Sequence, residues 1–188
     1  MSASGSSITY GCNADGKRIS KTANGTTYNY AYLGDTLTDL SWGSNRMHFT
    51  YDSLGPASVT YNGVKYFYLK NAQGDVTGLV NASGTMASTL GAANPLRYRG
   101  YVYDTETGLY YLSSRYYNPV WGRFINADTA DVLGASPDKA NWDKNLFAYC
   151  DNDPVNRKDD GGEFWHIIAA GAINNAVTQI HEKGSVRL

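Results

Sequence analysis

Tyrosines recur two residues apart, between dipeptides that turn a chain back on itself. Tyr28, Tyr30 and Tyr32 alternate, as do Tyr66 and Tyr68, and Tyr101 and Tyr103, in a chain with 16 tyrosines among 188 residues. A period of two sets such rings on one face of a strand, where broad aromatics pack across a pleated surface. Asn24-Gly25 and Asn62-Gly63 stand between runs of this kind, and both residue types tolerate the positive φ of a two-residue hairpin loop. A hairpin cannot bury an aromatic face by itself and is stabilised by neighbours of its own kind. The pattern therefore predicts an extended repetitive sheet rather than a compact enzyme.

Lys17–Ala23 and Thr26–Tyr32 flank the first dipeptide, an arrangement that sets Ile19 opposite Tyr30. Val59–Tyr61 and Val64–Tyr66 flank the second, with Tyr61 beside Val64 and Val59 beside Tyr66. Cross-strand pairs of these types stabilise a sheet. Further turn signals follow at Tyr51–Gly55, Asn71–Asp75, Asn81–Gly84 and Tyr103–Gly108, at intervals of about 10 to 25 residues. Helical patterns do not separate the strands, which argues against a parallel α/β sheet. Gly91–Pro95 breaks the sheet pattern and Leu96 resumes it. Asp128–Asn145 reads as a folded loop with one short helix, and Leu146–Tyr149 as a short strand closed by Asn152-Asp153-Pro154. From Phe164 to Lys183 the apolar positions Phe164, Ile167, Ile168, Ala172, Ile173, Ala176, Val177 and Ile180 follow helical spacing. Asp159 or Asp160 can cap the start of that helix and Gly184 its end. His166, Asn174, Asn175, Gln179 and His181 make it a poor membrane span.

A net charge of −1 with scattered basic residues argues against a nucleic-acid-binding surface. Cys12 and Cys150 are too few for a disulfide-built scaffold; two buried or idle thiols are expected rather than one bridge. The N-terminus has no basic or apolar signal-peptide region, and both ends read as those of a piece of something longer. His48, His166 and His181 lack a metal-binding spacing. No phosphate-cradling glycine loop and no Ser-His-Asp arrangement is present, so neither metal nor cofactor is expected. Asn24-Gly-Thr and Asn81-Ala-Ser satisfy the glycosylation sequon but read as ordinary turns.

One stretch is long and particular. Residues 96–128 run Leu-Arg-Tyr-Arg-Gly-Tyr-Val-Tyr-Asp-Thr-Glu-Thr-Gly-Leu-Tyr-Tyr-Leu-Ser-Ser-Arg-Tyr-Tyr-Asn-Pro-Val-Trp-Gly-Arg-Phe-Ile-Asn-Ala-Asp. This resembles the RHS repeat-associated core domain of bacterial RHS/YD-repeat proteins, as do Asn145–Asn156 downstream and the YD-like segment Tyr66–Gly84 upstream. The resemblance covers roughly residues 10 to 170. It implies hairpins that spiral into a hollow β shell around a C-terminal toxin, with the core domain plugging one end. By this reading residues 1–95 are YD-repeat hairpins, 96–160 the plug, and 161–188 a truncated pre-toxin linker.

Members of that family can cut themselves between shell and cargo, in a reaction likened to aspartic proteases. Such chemistry needs two carboxylates close enough to share a proton. Carried over residue by residue, the family's aspartates fall on Asp128 and Asp159, and the bond to be cut is Glu163–Phe164. Arg123 either steadies a carboxylate or closes a strand end. The chain departs from the pattern in three places: Thr129 follows Asp128 where proline is usual, Asp160 takes a second proline's place, and Glu163 replaces leucine. The bland alternative is that both aspartates close turns or cap a helix.

The sequence thus predicts an all-β fold of antiparallel YD-type hairpins, part of an RHS shell, with an irregular plug and one C-terminal helix. The expected role is structural: a segment of a secreted or cell-surface toxin-delivery protein that encloses a cargo. Partners implied by the resemblance are the rest of the shell, the toxin cargo and, through the cargo, an immunity protein. An autoproteolytic module is the first alternative, and a surface module binding carbohydrate or protein through exposed tyrosines the second. Inward-facing tyrosines with a nearby Asp128–Asp159 pair favour plug or peptidase. Exposed strand edges and a tendency to associate are expected of the isolated chain.

Overall fold

The computed structural model describes residues 7–128, 145–159, 161–162, 165–169 and 172–173. These form two compact units, the first ending at Gly108 and the second beginning at Leu109. The first is an antiparallel meander in which order along the chain is order across the sheet. Its strands are β1 (Ile8–Cys12), β2 (Arg18–Ala23), β3 (Thr26–Leu33), β4 (Thr36–Trp42), β5 (Asn45–Asp52), β6 (Gly55–Tyr61), β7 (Val64–Lys70) and β8 (Val76–Asn81).

Local chemistry sets the turns. Asn24 and Gly25 have φ of 50° and 79°, Asn62 and Gly63 of 47° and 86°, as a type I′ hairpin loop requires. The second hairpin has the register its sequence predicts, Tyr61↔Val64 and Val59↔Tyr66. In the first, pairing runs from Ala23↔Thr26 to Ser20↔Asn29. Ile19 is exposed, and the Arg18 guanidinium lies 4.6 Å from the Tyr30 ring centre instead. Two turns escaped the sequence reading, Gly34-Asp35 and Gly43-Ser44, whose glycines also take positive φ. With them the turns after residues 23, 33, 42, 52 and 61 fall nine or ten residues apart, so this part of the repeat is regular.

One face of the sheet carries the core. Tyr30, Leu37, Leu40, Met47, Phe49, Val59, Tyr68 and Leu79 are buried, each contributing about 1.5–3 kcal/mol of apolar burial. Phe67 and Leu69, flanking Tyr68, are exposed on the other face. Gly91–Pro95, expected only to break the sheet, belongs to a short helix α1 (Ser88–Ala93) and its end. Asn94 beyond it accepts a hydrogen bond from the Tyr68 hydroxyl at 2.8 Å and donates to the Leu96 carbonyl. A tight turn at Tyr98–Gly100 and the strand β9 (Val102–Asp104) complete the unit.

In the second unit β10 (Leu109–Leu112), β11 (Arg115–Asn118) and β12 (Arg123–Phe124) pair antiparallel. Tyr149 is buried against Tyr117 and Phe124, with ring centres 4.6 and 5.8 Å away. The strand expected over Leu146–Tyr149 is a turn with one bridge, Ala148 to Arg123. Cys150, Asp151 and Asn152 then take three successive positive φ values, 52°, 51° and 62°. The two cysteines are not joined in a disulfide, Cys150 being buried and Cys12 exposed.

The C-terminal helix expected from Phe164 is not formed where the chain is described. β13 (Arg157–Asp159), β14 (Trp165–Ala169) and β15 (Ala172–Ile173) are antiparallel strands. Asp159 caps no helix; its Oδ1 accepts hydrogen bonds from the Gly161 and Gly162 amides, and Gly162 turns at φ 80°. That turn brings Trp165-His-Ile-Ile against the open edge of β13, where β-branched residues gain ladder hydrogen bonds. Over so short an apolar run, helix and strand patterns coincide. Residues 174–183 of the expected helix, and the short helix expected in 129–144, lie outside the described residues. The all-β, antiparallel class is that of the sequence reading.

Candidate functional site

Arg115 opens β11 in an inward-facing slot, two residues before the buried Tyr117. Its preceding turn is tight: Ser113 has φ of 57°, and the Ser114 amide bonds back to the Leu112 carbonyl at 2.6 Å. The guanidinium plane lies 3.7 Å from the Phe124 ring centre, and stacking of this kind suits arginine and not lysine. Three sets of groups meet its edge. Nη2 lies 2.9 Å from Asp128 Oδ2 and 3.5 Å from Asp159 Oδ2. Nη1 donates to the Leu146 carbonyl at 3.0 Å, and Nε donates to the Gly162 carbonyl.

The two aspartates singled out from the sequence are therefore brought to one nitrogen. Distances of 2.9 and 3.5 Å to that atom hold the two oxygens within about 6.4 Å of each other. All three side chains are nearly buried, at 7%, 9% and 3% exposed for Arg115, Asp128 and Asp159. Asp128 is held by its own backbone as well, its amide donating to the Leu146 carbonyl at 3.0 Å.

The loop after Asp159 is seated on the same cluster. Ser114 donates to the Gly161 carbonyl from its amide at 3.2 Å and its hydroxyl at 2.8 Å. A Cβ on Gly162 would stand 2.6 Å from the Leu112 carbonyl oxygen and 2.8 Å from Ser114 Oγ, so only glycine fits. Glu163 and Phe164 lie outside the described residues. Arg123 is exposed on β12, where it pairs with Asn118 and bridges to Ala148; the arginine that reaches the carboxylates is Arg115. The sequence signal was its place: a lone cation at an inward position of a tyrosine strand.

The first unit holds a second buried ion cluster. Arg18 Nη1 and Lys21 Nζ both reach the Asp104 carboxylate, and Lys21 also donates to Glu106 at 2.8 Å. Arg18 and Asp104 are fully buried. Partial burial, the largest single influence, would raise the Glu106 pKa, but hydrogen bonds from Lys21, from its own backbone and from Thr105, together with the Lys21 charge, hold that carboxyl below its usual value. Among the described residues no group of three or more His, Cys, Asp or Glu side chains could hold a metal. No helix there is long and apolar enough to cross a membrane.

This mostly antiparallel β architecture, with only one short helix among the described residues, resembles that of RHS-type shell proteins. The solved Tc holotoxin pore of Photorhabdus luminescens, with a mutant TccC3, shares this fold with a TM-score of 0.65, over 90% of this chain and 9% of that one, at 18% identity. No family model matches. By sequence the chain is 40% identical over 185 residues to the tRNA3(Ser)-specific nuclease WapA of Bacillus spizizenii, a match spanning 87% of this chain and 8% of that protein. It is 36% identical over 80 residues to toxin protein Tse5 of Pseudomonas aeruginosa, covering 43% of this chain and 6% of the relative. The chain thus resembles a segment of toxin-related proteins of the RHS type, and it spans less than a tenth of the length of these relatives.

Proposed function

We propose that this chain is the shell-and-plug segment of a toxin-delivery protein, enclosing a C-terminal cargo that follows the Gly161-Gly162 loop. The parent would be secreted or displayed at the cell surface, its partners the rest of the shell, the cargo and an immunity protein bound to that cargo. The observation that carries the reading is the seat of residues 161–162, whose amides and carbonyls are all held by Ser114, Arg115 and Asp159. A junction fixed at every polar backbone atom suits a chain that must leave a wall at one place. Burial of Tyr30, Tyr68, Tyr111, Tyr117 and Tyr149 supports a wall over a surface module that binds through exposed rings. The test is protease protection of the cargo in a full-length parent. Protection should be complete, and lost when Arg115→Ala and Gly162→Val loosen the junction. A cargo digested at the same rate with and without those changes refutes the role.

A second reading, self-cleavage at this junction, is favoured by the convergence of Asp128 and Asp159 on one nitrogen beside Gly162. Incubation of the purified chain followed by intact-mass analysis tests it, with Asp128→Asn as the inactive comparison. A chain that stays whole, indistinguishable from the variant, removes the reading.

A further inference from the structure

We infer that a cavity beside the buried ion cluster of the first unit binds one phenolic ring, carried by a free small molecule or by a tyrosine of another polypeptide. The cavity has a volume of about 170 Å³, roughly the space in which a protein interior takes up a benzene. Two cross-strand pairs make its floor, Tyr28 with Trp42 and Tyr30 with Leu40. Positions two apart along each strand put all four on one face of the sheet. Pro95 and Tyr103 add to the lining, and Ala92, Ala93 and Thr105 at its mouth are exposed. A ring can therefore enter without opening the core.

The walls are in place before a ligand arrives. The Tyr28 and Trp42 ring centres lie 5.7 Å apart, and Trp42 stacks on Tyr61 at 6.0 Å and 15°. Asn94, beside Pro95, is fixed through both side-chain polar atoms, to the Tyr68 hydroxyl and the Leu96 carbonyl. Side chains already held by neighbours lose little freedom on binding, so the gain in apolar contact is not offset by ordering.

One polar group decides the class of ligand. Tyr30 is 7% exposed, with the Arg18 guanidinium over its ring. Its hydroxyl has no hydrogen-bond partner among the described residues and is not sealed from open space, which the cavity supplies. A buried hydroxyl in that state is destabilising, and a ligand hydroxyl relieves it. Burial pushes the Tyr30 phenol well above its usual 10.0, so it stays neutral and can donate or accept.

The charges along the wall are already satisfied, Lys21 donating to Glu106 at 2.8 Å and to Asp104 at 3.2 Å. That pairing leaves little to attract an ion. A sugar would bury several hydroxyls against rings that offer them no partner. A flat ring with one hydroxyl matches both the volume and the single open hydrogen bond. The site stands whether or not the chain encloses a cargo.

The experiment titrates the purified full chain with p-cresol, toluene and N-acetyl-tyrosinamide, using calorimetry and ligand-observed NMR, with circular dichroism to check folding. A Kd for p-cresol on the order of 0.1–1 mM is expected, about tenfold tighter than for toluene, the effect of one hydrogen bond. Tyr30→Phe keeps the ring and deletes the hydroxyl, so it should weaken p-cresol to the level of toluene and leave toluene unchanged. Ala93→Trp fills the mouth and should abolish both; Ala92→Trp serves if that variant does not fold. N-acetyl-tyrosinamide binding as well as p-cresol makes a polypeptide tyrosine the source, and its exclusion while p-cresol binds makes the source a free phenol. Equal binding of p-cresol and toluene, or a preference for p-cresol that survives Tyr30→Phe, overturns the phenolic class. Binding that persists with the mouth filled, or no binding of either ring by the folded chain, overturns the site.

Discussion

Removing the Arg115 charge should destabilise the second unit by more than any apolar truncation there. In Arg115→Met the stem still packs on Phe124, but Asp128 and Asp159, both nearly buried, lose their common cation. Breaking a buried ion pair by deleting one partner costs about 3–5 kcal/mol, because a charge is left without compensation. The Leu146 and Gly162 carbonyls also lose a donor, at about 1 kcal/mol each. At about 2–4 °C per kcal/mol for a chain of this size, the melting temperature should fall by roughly 10–28 °C. The triple variant Arg115→Met, Asp128→Asn, Asp159→Asn removes all three charges and keeps the shapes. Neutral replacement of a buried ion group costs little, so the triple should sit within about 2 kcal/mol of the parent. Urea unfolding followed by circular dichroism and tryptophan fluorescence measures both. A single variant that loses less than 1 kcal/mol, or a triple no more stable than the single, refutes the electrostatic account.

Other perturbations test separate parts of the fold. Asp104→Asn should cost about 3–5 kcal/mol in urea unfolding, since it strips the counter-charge from the buried Arg18. Gly162→Ala should cost about 1–3 kcal/mol more than Gly25→Ala: both glycines have φ near 80°, but only Gly162 would drive its Cβ into a carbonyl oxygen, while Gly25 has nothing within 4 Å. Burial pushes the phenols of Tyr30, Tyr51 and Tyr68 well above their usual 10.0. The folded chain keeps those protons while the unfolded chain sheds them, so stability should be full below pH 10 and fall above it, with tyrosinate absorbance rising in one step with unfolding. The outer edge of β1 should promote association, and Thr9→Lys with Gly11→Pro should shift size-exclusion profiles toward monomer; profiles unchanged by these substitutions count against an edge contact.

What could be read from the residues was whatever a few neighbours decide. Asn62-Gly63 dictates its hairpin because the required φ values belong to those two residues, and the register follows from loop length. Gly34-Asp35 and Gly43-Ser44 carry the same information in weaker form and were passed over because neither contains Asn-Gly. Asp128 and Asp159 were legible only through the family resemblance; nothing local brings together residues 31 positions apart. Arg115 was not singled out, since its worth depends on both of them and on a carbonyl 47 residues away. The C-terminal segment misled for a related reason. Its apolar spacing fits a helix, and the competing partner is the edge of β13, which no window around Ile167 contains.

The two buried ion clusters point to one solution used twice. Turns every nine or ten residues build a sheet from local information alone, but they cannot tell a remote, irregular segment where to stop. Burying Arg18 among Tyr10 and Tyr30, and Arg115 against Phe124, is costly unless a carboxylate arrives. Asp104 answers the first from 86 residues away, and Asp128 and Asp159 answer the second. Each arginine thus selects one docked position for a segment that has little ladder pairing of its own, because any other position leaves a charge stranded. A leucine in either slot would pack as well and would accept many positions. Specificity of docking, more than added stability, is what these arginines contribute, and it explains why the irregular part of the chain is organised around a cation and not around a larger apolar core.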